Sequence, residues 1–330
     1  MEVANKEKIM KNSLRKRGLA GVLVLATLLL VFASCGPSYK KGDTTVLLTV
    51  GGIEVTHEQY RFICMKNAII LAGEDQGYYS GPDEEAHLKE LERAVERELR
   101  LYYAVETLAK KYGVKLSKDD KDLIKEELQG LRAESKTKED YYKWLDNAFM
   151  SEHVFYLQTR NYYLERNLFY HIIDEQNGVL QLSDEQLKKD IDDYFYAAGQ
   201  ILIKKDGEDP QGTLEKVLAA LEEGEDFYTL AERYSGDTLK EVRYFTTGEM
   251  QAYFEDTVKG LQIGQISAPV ESDMGTHIIK REAITKDYIE KNLEAFRDTD
   301  LVRIYNEMLA EEAMGLEIVY TEDYTGIIRE

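Results

Sequence analysis

The sequence predicts an α+β protein, mostly helical, with a small mixed unit over residues 191–285. Three observations carry this. Only four prolines interrupt 330 residues. Apolar positions recur every three or four residues from Glu84 to about Leu187, the mark of helices with one buried stripe. From residue 197 to 283 the pattern then alternates between strand and helix. With 43% hydrophobic residues the chain can bury real cores, and its length suits two or three domains. A formal net charge of −20 excludes nucleic acid as a partner, because no excess of Lys and Arg is left to neutralise phosphates.

The first 34 residues differ from the rest. Six basic side chains between Lys6 and Arg17 precede the uncharged run "LAGVLVLATLLLVFA", Leu19 to Ala33. Fifteen helical residues span about 22 Å at about 1.5 Å each, short for a bilayer crossing and normal for a signal-peptide core. Ala33 and Ser34 directly before Cys35 resemble the lipobox of bacterial lipoproteins. That resemblance implies cleavage before Cys35, acylation of this cysteine, and a membrane-anchored, exported chain. Cys64, the other cysteine, sits in the apolar helical pattern "YRFICMKNAII" and reads as a small hydrophobe rather than a nucleophile. No Cys/His cluster has metal-ligand spacing, so neither a metal nor a cofactor is expected.

Residues 35–44 read as a tether and 45–190 as a mainly helical N-terminal domain. Val46–Val50 is a strand, Gly51-Gly52 a turn and Ile53–Val55 the return strand; Thr56 with Gln59 forms a capping box that opens a helix. Leu88, Leu91, Val95, Leu99, Tyr102 and Val105 make one apolar stripe, with Gly113 and Gly130 as expected breaks. The aromatics crowded between Tyr141 and Tyr170 read chiefly as packing between helices, and His153 and His171 as structural. Ser183 with Gln186 offers a second capping box, leading into the next unit.

That unit begins with the strand "AGQILIKK" and the loop "DGEDPQG". An amphipathic helical stretch interrupted at Gly224 follows, then a helix from about Gln251, then turn, strand, hairpin and strand. The order is β-α-α-β-α-β-β. The remainder, 286–330, reads as one or two helices and a strand around Leu316–Tyr320.

Three blocks in this unit, "GEDFYTLAERYSGD", "FTTGEMQAYFEDTVKGLQIGQISAPV" and "GTHIIKREA", resemble consecutive motifs of the parvulin peptidyl-prolyl isomerases. The resemblance covers roughly a quarter of the chain. It implies a proline pocket walled by Met250 and Phe254, with Gln251 beside Met250, Val242 where the family often has leucine, and Phe245 in the inner packing. It also implies that Asp237 lies near the reacting amide and that His277 is the second of two histidines on adjacent central strands. Gln200 stands where the first histidine is expected, and the family's usual "G-G-x-L-G" is missing between Asp237 and Val242. Those two departures imply weakened catalysis. Glutamine can both donate and accept, so Gln200 can replace part of a paired-histidine network.

With the leader, Cys35 and the helical flanks, the whole resembles exported foldases of the PrsA and SurA type. This implies a chaperone-like helical domain formed by the N- and C-terminal segments, with the parvulin-like domain inserted and residues 286–330 packing on the N-terminal domain. The implied partners are unfolded or newly exported polypeptides with X-Pro bonds, met at the extracytoplasmic face of a bacterial membrane. The implied function is isomerase and foldase, with a binding-only chaperone as the alternative.

Overall fold

The computed structural model describes residues 42–73, 75, 77–174, 178–237 and 241–327. Cys35 and the leader lie outside the described residues. The architecture is α+β: a parvulin-like sheet domain lies in sequence between helical segments. One unit ends at Gln181 and resumes at Ile304; the other runs Leu182–Arg303.

The first unit starts with β1 (Val46–Val50) and β2 (Ile53–Thr56), antiparallel, with Val50 opposite Ile53. Gly51 and Gly52 join them with φ of 57° and 79°, the left-handed values that a two-residue hairpin turn requires. A Cβ on Gly51 would come within 2.7 Å of Leu316 Cδ2, so a larger residue would have to displace the end of that side chain. The chain's last strand, β7 (Ile318–Tyr320), pairs on the other side of β1, giving sheet order β2-β1-β7.

Helix α1 (His57–Ala72) opens where the Thr56–Gln59 box is expected, the Thr56 N–H donating to Gln59 Oε1 at 3.0 Å. Cys64 in this helix is fully buried. Helix α2 (Glu84–Lys111) packs its stripe Leu91, Val95 and Leu99 between α1 and α5 (Glu152–Ile173). Each such leucine or valine contributes about 1.5–3 kcal/mol of burial.

Gly113 ends α2 in a left-handed conformation (φ 70°), as expected, whereas Gly130 breaks nothing: α3 (Lys118–Glu134) runs through it. A helical glycine costs only about 1 kcal/mol against alanine, and two cross-links flank this one. Tyr163 on α5 donates to Glu127 at 2.5 Å, and Arg132 donates to Glu152 at 2.9 Å. After α4 (Lys138–Asn147), the aromatics of α5 divide: Tyr163 and Phe169 are buried, Phe169 meeting Tyr305 edge-on at 5.0 Å, Phe155, Tyr162 and Tyr170 are half-buried, and Tyr156 is exposed. His153 bonds the buried Glu58 carboxylate at 2.7 Å, a structural role. Among the described residues no helix is long and apolar enough to cross a membrane.

In the second unit, Ser183 caps α6 (Asp184–Tyr194) by accepting from the Gln186 N–H at 3.1 Å. The reciprocal half of the expected box is absent, because the Gln186 side chain turns forward to Asp190 at 2.8 Å. Next come β3 (Phe195–Lys204), α7 (Pro210–Glu222), α8 (Phe227–Tyr234), β4 (Arg243–Thr246), α9 (Ala252–Gly260), β5 (Val270–Ser272) and β6 (Gly275–Glu282). This is the expected β-α-α-β-α-β-β order. The strands form an antiparallel sheet ordered β4-β3-β6-β5.

Period-two alternation sorts the side chains to two faces. Ile201, Ile203 and Ile278 pack on Val217, Phe227, Leu230 and Ala231 from α7 and α8. Ala198 and Ile279, on the opposite face, pack on Phe245, Phe254 and Val258. Helices α10 (Lys286–Lys291) and α11 (Leu293–Gly315) follow, the latter contributing residues to both units.

Candidate active site

The sheet register decides which polar side chains meet. Leu202 pairs with His277 and Gln200 with Ile279, so Gln200 and His277 project to the same face, one step apart on neighbouring strands. That face also carries Ala198, which pairs with Arg243 on β4, and Arg243 therefore joins the same side.

Asp237 arrives from the segment after α8, which is fastened to β3. The Ser235 hydroxyl accepts from the Leu202 N–H at 3.0 Å and from the Asp237 N–H at 3.2 Å, while the Gly236 N–H donates to the Leu202 carbonyl at 2.7 Å.

On the far side, the turn after Ser272 brings β5 back along β6. Gly275 starts β6 with φ 144°, and a Cβ there would lie 2.1 Å from the Ile203 carbonyl oxygen. Only glycine lets the hairpin approach β3 so closely. Ser272 pairs with Gly275, which puts it diagonal to His277. Upstream, "GQIS" runs beside β6: Ser267 N–H donates to the Ile279 carbonyl at 2.8 Å, and the Ile279 N–H to Ser267 Oγ at 3.0 Å.

The result is a continuous polar chain across the sheet. Arg243 and the Gln200 side-chain amide both donate to Asp237 Oδ2. Gln200 Oε1 lies 2.9 Å from His277 Nδ1, and His277 Nε2 lies 2.7 Å from the Ser272 hydroxyl. His277 is 0% exposed and Gln200 8%. Burial pushes the imidazole's pKa down from its ordinary value, against the opposing pull of the Asp237 and Glu271 carboxylates. The ring is a neutral hydrogen-bonding group, well suited to orienting its neighbours.

Beside this chain lies the apolar cluster of α9 and β4. Phe245 and Phe254 are 4% and 2% exposed, with ring centroids 5.8 Å apart. Half-buried Met250 and Tyr253 pack against them, and the Tyr253 ring reaches His277 at 5.0 Å. The accessible apolar surface therefore belongs to Met250 and Tyr253, and Phe254 backs it from within. Gln251 is exposed at the N-terminus of α9, and Val242 is half-buried just ahead of β4, next to Arg243 in sequence.

The structure thus brings His277, Gln200 and Asp237 together and places Met250, Phe245 and Phe254 in one cluster. Sequence reasoning missed Arg243, Ser272 and Tyr253. Ser272 had a signal, since the tight turn "SDMG" sets it diagonal to His277. Among the described residues no group of acidic, histidine or cysteine side chains is arranged to hold a metal ion.

Residues 195–283 match the Rotamase family model, a PPIC-type PPIASE domain, so the second unit carries a parvulin-type domain. Over 152 residues the chain is 32% identical to the foldase protein PrsA of Caldanaerobacter subterraneus subsp. tengcongensis, covering 42% of this chain and 47% of that one. It is 39% identical over 88 residues to the foldase protein PrsA of Oceanobacillus iheyensis, 25% of this chain and 29% of the relative. The chain thus spans less than half the length of these curated relatives. Among solved structures, the peptidylprolyl isomerase PrsA of Bacillus anthracis is 23% identical, with 66% of this chain and 95% of that one covered at a TM-score of 0.32.

Proposed function

We propose that the second unit catalyses cis–trans isomerisation of X-Pro peptide bonds, within an exported foldase that binds unfolded polypeptides. The observation that carries the reading is a polar chain running through the buried His277 to Ser272, beside an apolar surface, inside the segment that matches the PPIC-type family.

Rotation about a prolyl amide faces a barrier of about 18–20 kcal/mol and takes tens to hundreds of seconds unaided. No bond to the enzyme is needed. Met250 and Tyr253, backed by Phe245 and Phe254, grip the ring and exclude the water that favours the planar, polar amide. Asp237, Gln200 and His277 shape the polar side of the pocket. His277, neutral and held at both nitrogens, orients the site rather than shuttling a proton. Gln251 and Val242 border the pocket and contact flanking residues of the substrate.

The leader and Cys35 add a lipid anchor to this reading, with the helical unit acting as the chaperone portion around the inserted isomerase. Palmitate labelling that disappears in Cys35→Ala is the expected result for the anchor.

A protease-coupled assay on a proline peptide tests the catalytic claim. Isomerisation above the buffer rate is expected, reduced about 5- to 30-fold in kcat/KM by Met250→Ala, the equivalent of about 1–2 kcal/mol of lost apolar contact. His277→Ala should also lower it. No turnover above buffer, or turnover untouched by Met250→Ala, removes the catalytic claim. Gln200, in place of the family's first histidine, favours one other reading, a catalytically weak or inactive chaperone that binds unfolded polypeptides. That reading requires suppression of client aggregation with no turnover, and it fails if deleting residues 191–285 leaves no suppression.

A further inference from the structure

We infer that Arg243 is a positioning residue that fixes the direction of the polar chain, and with it the nitrogen of His277 that carries the proton. The heavy-atom geometry alone permits two directions. In one, Asp237 is a carboxylate and can only accept, so Gln200 must turn its amide nitrogen toward it. Gln200 Oε1 then faces His277 and must accept, which places the ring proton on Nδ1 and leaves Nε2 to accept from the Ser272 hydroxyl. In the other, Asp237 is protonated and donates to Gln200. The amide then flips, Nδ1 becomes the acceptor, and the ring proton moves to Nε2.

Arg243 selects between them. Its guanidinium is always charged and donates to the same Asp237 oxygen that Gln200 bonds, so a proton on Asp237 would displace a charge-assisted bond. The placement follows from the fold, because the Ala198–Arg243 pairing turns Arg243 to the sheet face of Gln200. Ser235 fastens the Asp237 end. The Asp237 side chain is 10% exposed, so water does little to stabilise its charge in place of Arg243.

Other charged or titratable groups face the site from each neighbouring element. Glu271 on β5 is engaged by the Thr276 hydroxyl at 2.8 Å, the Tyr253 ring comes from α9, and the Lys204 stem from β3 lies over Gly236. None of these donates to the Gln200 amide; at the other end the Ser272 hydroxyl can also donate to the Gly275 carbonyl at 3.3 Å, a longer alternative to His277 Nε2 at 2.7 Å, and the Arg243–Asp237 pair sets the direction from the Asp237 end.

The inference concerns the site of the proposed isomerase and rests on that reading only for its catalytic consequence. The test reads the ring directly. The full chain labelled with ¹⁵N-histidine is titrated from pH 8 to pH 5 by long-range ¹H–¹⁵N NMR, with His277 identified by its loss in His277→Asn. The wild-type protein should show a neutral ring with the proton on Nδ1. Arg243→Met should leave that state at a pH higher by about one unit or more, and Arg243→Lys should behave as wild type. Preserved β3 and β6 amide shifts mark a folded variant. Should Arg243→Met not fold, Asp237→Asn decides, since it keeps the shape, removes the charge and should give a mixture of the two neutral ring forms.

A wild-type ring protonated on Nε2 overturns the inference. So does a folded Arg243→Met that titrates as wild type, or an Asp237→Asn ring held wholly on Nδ1. An inactive protein with the Nδ1 form removes the isomerase reading and leaves this one standing; an active protein with the Nε2 form does the reverse.

Discussion

Replacing Gln200 by leucine tests whether the polar chain acts as one energetic unit. Leucine nearly matches the volume of glutamine but removes both links at once. The Nδ1–H of His277, on a ring with 0% exposure, loses its acceptor and cannot reach water, which costs about 1–3 kcal/mol. Asp237 keeps Arg243 but loses a bond to a charged group, about 1.5–3 kcal/mol more. The added apolar burial of leucine returns about 1 kcal/mol, leaving a net loss of about 1.5–5 kcal/mol.

The readout is hydrogen exchange of peptides covering β3 and β6, whose amides form the ladder around Gln200. Exchange through opening of the sheet should accelerate about 10- to 4,000-fold, tenfold for each 1.4 kcal/mol. The double variant Gln200→Leu/His277→Leu should lose less than Gln200→Leu alone, because no buried donor is then stranded. An acceleration below about threefold, roughly 0.6 kcal/mol, would refute the chain as a cooperating unit.

Gly275→Ala should destabilise the sheet by at least about 2 kcal/mol, since it adds a clash with the Ile203 carbonyl to an unfavourable φ; a melting temperature unchanged within error contradicts that packing. The depressed His277 pKa makes stability pH-dependent in a defined direction. Its contribution is fully present above the unfolded value of 6.5 and is lost as pH falls through the folded value. His277→Asn should flatten the acid side of a plot of urea midpoint against pH. Asp300 behaves oppositely: burial, opposed by Arg303 and aided by Asp190, pushes its carboxyl up to about 6 from 3.8. The stability it lends is complete below 3.8 and disappears as pH rises through 6, at most about 2 kcal/mol once screening is allowed for. Asp300→Asn should remove that decline, and an unaltered slope between pH 4 and 6 counts against it.

Much of this was legible in the sequence wherever local chemistry decides the outcome. Gly51-Gly52 between apolar runs dictates a hairpin, and the order of elements from 197 to 283 follows from alternation and turn residues. Gly130 misled because a glycine is an affordable guest in a helix that tertiary cross-links hold at Glu127 and Arg132. Gln186 misled because its side-chain amide turns forward to donate to Asp190 instead of back to accept from the Ser183 N–H.

At the site, His277, Gln200 and Asp237 were found through motif resemblance, and register then joined them. Arg243 was not visible, since its meaning depends on which way β4 turns its side chains against β3. Nor could an apolar letter say whether Phe254 faces a ligand or the core. Its 2% exposure shows that Met250 and Tyr253 carry the accessible surface.

The pairing of β7 with β1 has a consequence for the order in which the protein can assemble. Ribosomes release the chain from its N-terminus, and β1 is among the first described segments to emerge. Its partner on the side away from β2 is residues 318–320, and the Gly51 N–H must wait for the Glu317 carbonyl. The second unit has all four of its strands by Glu282. A nascent chain can therefore complete the sheet that carries His277 while β1 still holds an open edge. That long-range closure, with its large loop-closure cost, is the step expected to finish last.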